Sequence, residues 1–337
     1  MSIKVSYASG TSDKPLLGMT IGEAFDQTVS LHADREAIIS IHQNMRLTYR
    51  QLSEQVNIAA KALMALGLQK GDRIGIWSPN NLEWLITQYA SAKIGSVLVT
   101  INPAYRSHEL DYVLKQSGCR ALVIQNQFKT SDYEGMVREL CPQLNRCLPG
   151  QLEHSEFKSL SSVISMTSSS VTGIFDWQAM LALASSTSDD ELQLRAQQLD
   201  MDEAINIQYT SGTTGFPKGA TLSHHNILNN GYFTAGTMNF TEVDKLVVPV
   251  PLYHCFGMVM ANLGCLTHGA CLVYPSEGFE PEAVLQAVQQ EQATALYGVP
   301  TMFIAELALD NFTDYDLSSL RTGVMAGAPC PGREHLP

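Results

Sequence analysis

Arg73-Ile-Gly-Ile-Trp-Ser78, Ser96-Val-Leu-Val-Thr-Ile101 and Ala121-Leu-Val-Ile124 are short apolar runs separated by two segments of helical periodicity, about Asn81 to Ile94 and Ser107 to Gln116. Runs of that length, rich in β-branched residues, read as buried strands, and strands alternating with helices predict a parallel sheet wound on both faces. Upstream, Leu47-Thr-Tyr-Arg-Gln51 predicts a helix start, because Thr48 and Gln51 have the spacing of a capping box. Leu52, Val56, Ala59, Ala60, Leu63 and Leu66 then recur at helical spacing until Gly67.

From about Pro149 to Asp200 the pattern blurs, and the serines at 159–170 and 185–188 predict loops. Strand patterns return at Ala204-Ile-Asn-Ile-Gln-Tyr209, Leu246–Val250, Ala270–Tyr274, Ala295–Tyr297 and Thr322–Ala326, with a helix opening near Pro281 and Glu282. The chain is therefore expected to be α/β, with two doubly wound sheet lobes. An N-terminal segment would cover 1–45, a first lobe with its Ser-rich connection 46–200, a second lobe 201–331, and an atypical tail 332–337. The second-lobe strands are apolar enough to be expected buried on both faces.

The 337 residues carry 21 basic and 33 acidic side chains, a formal charge of -12, with no Lys/Arg cluster. That balance argues against nucleic acid or an anionic membrane surface as partner. Seven cysteines form no C-x-x-C pair, which predicts free thiols. Asn239-Phe-Thr and Asn311-Phe-Thr fit the glycosylation pattern, but no signal-like or Arg-rich leader is visible in the first thirty residues. No Asp, Glu, Lys or Arg lies between Lys245 and Glu277, yet prolines, glycines, histidines and Asn262 interrupt the stretch. A buried strand, a helix and a second strand are expected there, with no transmembrane segment.

The densest chemical signal is Tyr209-Thr-Ser-Gly-Thr-Thr-Gly-Phe-Pro-Lys-Gly219. Its glycines allow close backbone approach to a polyanion, its Ser and Thr hydroxyls can donate to phosphate oxygens, and Lys218 supplies a point charge. It is not a Walker A loop: counted from Gly212, the second glycine would fall on Pro217, and Gly219 follows Lys218. No G-x-G-x-x-G follows the first strands, which weakens a nicotinamide enzyme. A generic phosphotransferase is a remote alternative.

This stretch resembles the ATP-phosphate loop of the adenylate-forming superfamily. Leu222-Ser-His-His-Asn226, Pro251-Leu-Tyr-His-Cys-Phe-Gly257, Tyr297-Gly-Val-Pro-Thr301, Ala326-Gly-Ala-Pro329 and Asn102-Pro-Ala-Tyr105 agree with it in order and spacing, over about residues 20–331. Ile207-Gln-Tyr-Thr210, Lys218-Gly-Ala-Thr-Leu-Ser-His224, Val299-Pro-Thr-Met-Phe303, Val113-Leu-Lys115 and Gly118-Cys119 are most similar to the acyl-CoA synthetases grouped as family member 2. The resemblance implies a ligase that joins a medium-chain fatty acid to coenzyme A through an acyl-adenylate, with Mg2+ and ATP. The segment Thr210, Ser211, Gly212, Thr213, Thr214, Gly215, Phe216, Pro217 and Lys218 would hold the ATP phosphates. Gly327, Ala328 and Pro329 would line the adenine slot. His254 would stand between the acyl pocket and the thiol tunnel, where a core histidine is the competing reading. Met302, Phe303 and Phe256 would line the acyl pocket or simply fill core. The resemblance places the enzyme in the mitochondrial matrix, with the cytoplasm as alternative.

Family members continue past the Ala-Gly-Ala-Pro strand into a Tyr-Gly-x-Thr-Glu motif, a ribose-binding Asp, a hinge and a C-terminal domain with the catalytic Lys. The resemblance therefore implies that the catalytic Lys and the magnesium ligand are not in this sequence. Two expectations follow: an acyl-CoA ligase seen as a partial sequence, or a non-catalytic truncated form keeping a partial nucleotide site. By itself the chain is expected to be inactive and poorly soluble.

Overall fold

The computed structural model describes residues 13–210 and 217–330. Its strands, in chain order, are β1 (Glu36–Ser40), β2 (Met45–Thr48), β3 (Arg73–Trp77), β4 (Val97–Ile101), β5 (Ala121–Ile124), β6 (Gln127–Phe128), β7 (Ser131–Asp132), β8 (Ser162–Ser165), β9 (Ile174–Asp176), β10 (Ala204–Thr210), β11 (Lys218–Ser223), β12 (Lys245–Val247), β13 (Cys271–Tyr274), β14 (Ala295–Gly298) and β15 (Thr322–Met325). They form a seven-stranded sheet ordered β11-β10-β4-β3-β5-β8-β9 and a six-stranded sheet ordered β15-β14-β12-β13-β1-β2; β6 and β7 make a small hairpin. Only β11 and β2 run antiparallel in the two large sheets.

The pleat of β3, β4 and β5 explains why both faces are apolar. Ile74, Ile76, Leu98, Ala121 and Val123 point into one core, whereas Trp77, Val99, Ile101, Leu122 and Ile124 point into another. The first core is shared with the second sheet, whose Ile38, Leu246, Leu272, Tyr274 and Tyr297 belong to it. Between the sheets lies a helical layer that includes Ile21–His32, Tyr49–Ala65, Leu82–Ile94 and His224–Thr237. Leu82–Ile94 has almost no polar side, since all its residues but Glu83 are buried, and Asn81 caps it by accepting from the Trp84 N–H at 2.8 Å. The Thr48–Gln51 capping box forms, and Gly67 follows the helix end with φ +87.

Four expectations need correction. The boundary at residue 201 does not divide the sheets: β10 and β11 complete the first sheet against β4, and β1 and β2 join the second sheet against β13. Pairing follows matched buried edges rather than chain order; Asn206 on β10 even donates through its side chain to Leu98 O at 2.9 Å. The Ser-rich stretch near 160 holds the fully buried strand β8, with Val163 and Ile164 in opposite cores and Ser188 capping a later helix. The strand read at Leu246–Val250 stops at Val247, before Pro249 and Pro251, which lack the N–H that a ladder needs. Finally, β15 is an edge strand with half-exposed residues rather than one buried on both faces.

The stretch from Lys245 to Glu277 forms β12, a helix of two parts (Phe256–Leu263 with π-type bonding, then Gly264–His268) and β13. Among the described residues no helix is long and apolar enough to cross a membrane. All seven cysteines are free.

Candidate active site

The carboxyl ends of β4 and β10 and the segment after β12 open onto one cleft of about 690 Å3. Such strand ends are where open α/β sheets place their ligands. Asn102 and Tyr105 come from the turn after β4, Gln208, Tyr209 and Thr210 from the end of β10, Pro217, Ala220 and Leu222 from β11 and its approach, and Tyr253, His254 and Cys255 from the start of the π-type helix.

Thr210 and Pro217 are the two described ends of the glycine–hydroxyl loop; Ser211, Gly212, Thr213, Thr214, Gly215 and Phe216 lie outside the described residues. The loop joins two antiparallel neighbours, with Thr210 opposite Lys218 in the ladder and the Thr210 hydroxyl donating to Lys218 O at 3.4 Å. A Walker loop is followed at once by a helix; here β11 intervenes, and the helix starts at His224 with Ser223 as its cap. Spacing had already excluded the Walker reading, and the topology agrees. Lys218 is exposed beside this hairpin. The Tyr112 hydroxyl, from the helix Ser107–Ser117, donates to Pro217 O at 3.1 Å, and Gln116 donates to the Tyr112 oxygen at 2.8 Å. The downstream end of the loop is thus tied to the first sheet's outer helix.

His254 is exposed on the cleft wall, not sealed in the core. Its Nδ1 accepts the Phe256 N–H at 3.1 Å, and its carbonyl accepts from Gly257 and Met258, each at 3.0 Å. The ring therefore caps the helix it begins. An accepting Nδ1 assigns the tautomer in which Nε2 carries the proton. Although surface remains open, protein crowding on one side desolvates the ring and lowers its pKa. Cys255 Sγ lies 3.6 Å from the same Nδ1, and burial pushes its thiol up. Gly257 is required at this turn, because a Cβ would meet Pro251 O at 2.6 Å.

The helix beyond His254 is held by a buried polar network. The wide π-type turns leave carbonyls that neighbours satisfy: Gln88 donates to Met258 O at 3.1 Å, Tyr89 to Asn262 O at 3.1 Å and Tyr297 to Met260 O at 3.4 Å. Asn262 in turn donates to Gln88 Oε1 at 2.7 Å and accepts from the Tyr274 hydroxyl at 2.8 Å.

Gly327, Ala328 and Pro329 sit exposed just past β15, Gly327 with φ +87, and none of them lines the cleft. They lie on the same carboxyl edge of the second sheet, beyond β14. Phe256 is buried with its ring 5.3 Å from that of Tyr297, and Phe303 packs in the outer core of the second sheet. Met302 lines a neighbouring chamber of about 460 Å3 that shares Asn102 and Tyr253 with the cleft and also holds Arg106, Lys129 and Glu277. Among the described residues no group of three His, Cys, Asp or Glu could hold a metal ion. Sequence reading passed over Gln208, Tyr112 and Tyr253 as site residues. Gln208 carried a signal, being a polar residue inside an apolar strand.

The sequence pattern of the family described as AMP-binding enzyme matches residues 25–334. YngI of Bacillus subtilis (strain 168), named only provisionally as an acyl-CoA synthetase, is 45% identical over 316 residues, 94% of this chain and 57% of that protein. The mitochondrial medium-chain acyl-CoA ligase ACSF2 of Mus musculus is 42% identical over 333 residues, 97% of this chain and 54% of its own. The chain thus spans about half the length of the curated relatives it matches. Among solved structures, the anthranilate CoA ligase AuaEII in complex with anthranoyl-AMP superposes with a TM-score of 0.80 at 22% identity, over 95% of this chain and 57% of that one. The N-terminal domain of FACL13 from Mycobacterium tuberculosis gives 0.76 at 22% identity, over 93% of this chain and 71% of that one. At such identities the structural likeness speaks for the fold.

Proposed function

Because the chain belongs to the AMP-binding enzyme family, we propose that the protein carrying it is an acyl-CoA synthetase that activates a fatty acid as its acyl-adenylate. One observation carries the reading: the described ends of the glycine–hydroxyl loop, Thr210 and Pro217, line the same cleft as His254. In the first step a carboxylate oxygen of the acid bonds to the α-phosphorus of Mg-ATP, and the bond from that phosphorus to pyrophosphate breaks. In the second, the sulfur of coenzyme A bonds to the acyl carbon, AMP leaves and the thiol proton is released.

Within this scheme Thr210, Ser211, Gly212, Thr213, Thr214, Gly215, Phe216, Pro217 and Lys218 hold the β- and γ-phosphates. Negative charge grows on the pyrophosphate as the bond breaks, and fixed donors that meet it there stabilise the transition state. Gly327, Ala328 and Pro329 form the adenine slot, their small side chains leaving backbone open to a flat base. His254 stands at the meeting of acyl group and thiol, offering its Nε2–H. Magnesium enters with ATP as part of the substrate. Medium-chain acids are the substrates that the ACSF2 relatives favour, and their mitochondrial name supports the matrix as location, with the cytoplasm as the alternative. A non-catalytic chain with a partial nucleotide site is not favoured, since the relatives are named as ligases and synthetases.

The test is acid-dependent exchange of labelled pyrophosphate into ATP by the protein carrying this chain, followed by acyl-CoA formation when coenzyme A is added. Octanoate is expected to support both. Exchange that does not depend on any carboxylic acid would reject the reading.

A further inference from the structure

Gln208 is 8% exposed, yet it lines the cleft. Its Nε2 lies 3.7 Å from Met258 Sδ, a weak acceptor, and that is its one side-chain partner among the described residues. Asn206, on the same face of β10, donates its amide N–H to Leu98 O at 2.9 Å, and its Oδ1 is buried without a partner among the described residues. A buried primary amide normally has full hydrogen-bond partners, because leaving it without them is costly. One that keeps free donor capacity in a cavity wall marks where a ligand atom belongs.

The position on the strand says which atom. Gln208 precedes Thr210 by two residues, so it stands one pleat, roughly 7 Å, behind the start of the glycine–hydroxyl loop. If the loop holds the β- and γ-phosphates, the α-phosphorus is the next along the triphosphate, and the carboxylate that attacks it is placed on the β10 side of the loop, towards Gln208. A cation at this place would bind a carboxylate tightly and stabilise it in the ground state, which lowers its reactivity. A neutral amide orients the carboxyl group with less of that loss.

We infer that Gln208 orients the acid substrate by donating an amide N–H to its carboxyl oxygen, as the carboxylate attacks phosphorus and again as the acyl carbonyl meets the thiol. The inference rests on the acyl-CoA synthetase reading, but it adds a specificity residue outside the loop and outside His254. Gln208 takes no proton and forms no bond to the substrate.

Two variants of matched size test it: Gln208→Met, which keeps the volume and removes the donor, and Gln208→Glu, which sets a negative charge against the carboxylate. Pyrophosphate exchange would be measured with octanoate and ATP varied separately, alongside thermal melting. Gln208→Met is expected to raise KM for octanoate at least tenfold, which is about 1.4 kcal/mol. KM for ATP should stay within twofold and the melting temperature should hold or rise, since an apolar side chain suits the site. Gln208→Glu should bind octanoate more weakly still. An unchanged KM for octanoate, or equal rises for octanoate and ATP, overturns the inference, and so does a fall in melting temperature that accounts for the loss. Acid-independent exchange in the unaltered protein overturns the synthetase reading instead, so the two failures are distinct.

Discussion

Lys218 and His254 play separable parts in the proposed chemistry. Lys218 lies opposite Thr210 and exposed, so its ammonium reaches solvent at the edge of the loop rather than packing in the fold. Lys218→Ala should therefore leave stability nearly unchanged and weaken adenylation by about 1–3 kcal/mol, the range for losing a hydrogen bond to a charged group, read as pyrophosphate exchange. Unchanged exchange would remove the lysine from the phosphate site. His254 calls for two substitutions because its side chain stands in two relations: Nδ1 accepts the Phe256 N–H at the start of the helix, and the residue lines the cleft. In His254→Asn the shorter side chain can still accept the N–H two residues on, the usual Asx pattern. That variant should keep its melting temperature and its pyrophosphate exchange while forming acyl-CoA at least tenfold more slowly. His254→Ala should lose about 1 kcal/mol of stability as well, the typical value of a lost cap. If Asn at 254 forms acyl-CoA at the unaltered rate, the histidine is only a cap. The competing core reading of this residue failed on geometry, because the side chain is exposed; composition alone could not have separated the two.

At the scale of elements, the π-type helix Phe256–Leu263 determines where His254 and Met258 stand, and the network from Tyr274 through Asn262 and Gln88 determines its register. Tyr274→Phe deletes one hydroxyl and leaves Asn262 Oδ1 buried without that donor. Such an orphaned acceptor costs about 1–3 kcal/mol, which a shifted urea midpoint would report. A midpoint unchanged within error would mean that the network does not hold the helix. This element also shows where sequence reading stops. The absence of charge from Lys245 to Glu277 indicated burial correctly, but π-type bonding depends on donors from β13, β14 and Leu82–Ile94, distant in the chain. By contrast, β3, β4 and β5 were legible because each is a run of apolar residues bounded by its own turns. The strand β8 was not, because Ser162 meets the neighbouring Ser161 hydroxyl while Ser165 donates to Asn126 Oδ1 from a distant part of the chain, so both can sit buried in a segment that looks like loop by composition. The glycine–hydroxyl stretch stood out in the sequence as a candidate phosphate motif, but the pairing of its flanks was not legible, since pairing of β10 with both β4 and β11 is a long-range outcome.

Across the whole molecule, the sequence order of the two sheets is crossed, and the crossing makes the interior layer that joins them sensitive to pH. His224 is 1% exposed at the head of the helix His224–Thr237, and its Nδ1 accepts the Ile21 N–H at 3.1 Å, fastening the start of the helix Ile21–His32 to it. Burial lowers its pKa to about 4, against a smaller upward pull from Glu203, Glu23 and Asp200. Protonation would also turn Nδ1 into a donor facing a donor, so geometry and desolvation agree on a neutral ring. In the unfolded chain the same ring titrates near 6.5. Between those values the unfolded state holds a proton that the folded state refuses, so stability is complete above pH 6.5 and declines as the pH falls towards 4. One such group contributes about 3 kcal/mol over that interval, at about 1.4 kcal/mol per pH unit. The measurement is urea unfolding at a series of pH values for the unaltered protein and for His224→Asn, whose amide oxygen can still accept from Ile21 without taking a proton. The variant should flatten the decline between pH 6.5 and 4 by about 3 kcal/mol while both proteins share the steeper loss below pH 4, where carboxylates such as Asp244, held low by Arg321 and Thr294 despite burial, are protonated. An identical pH profile for the two proteins would show that the neutral histidine is not what the helical layer requires.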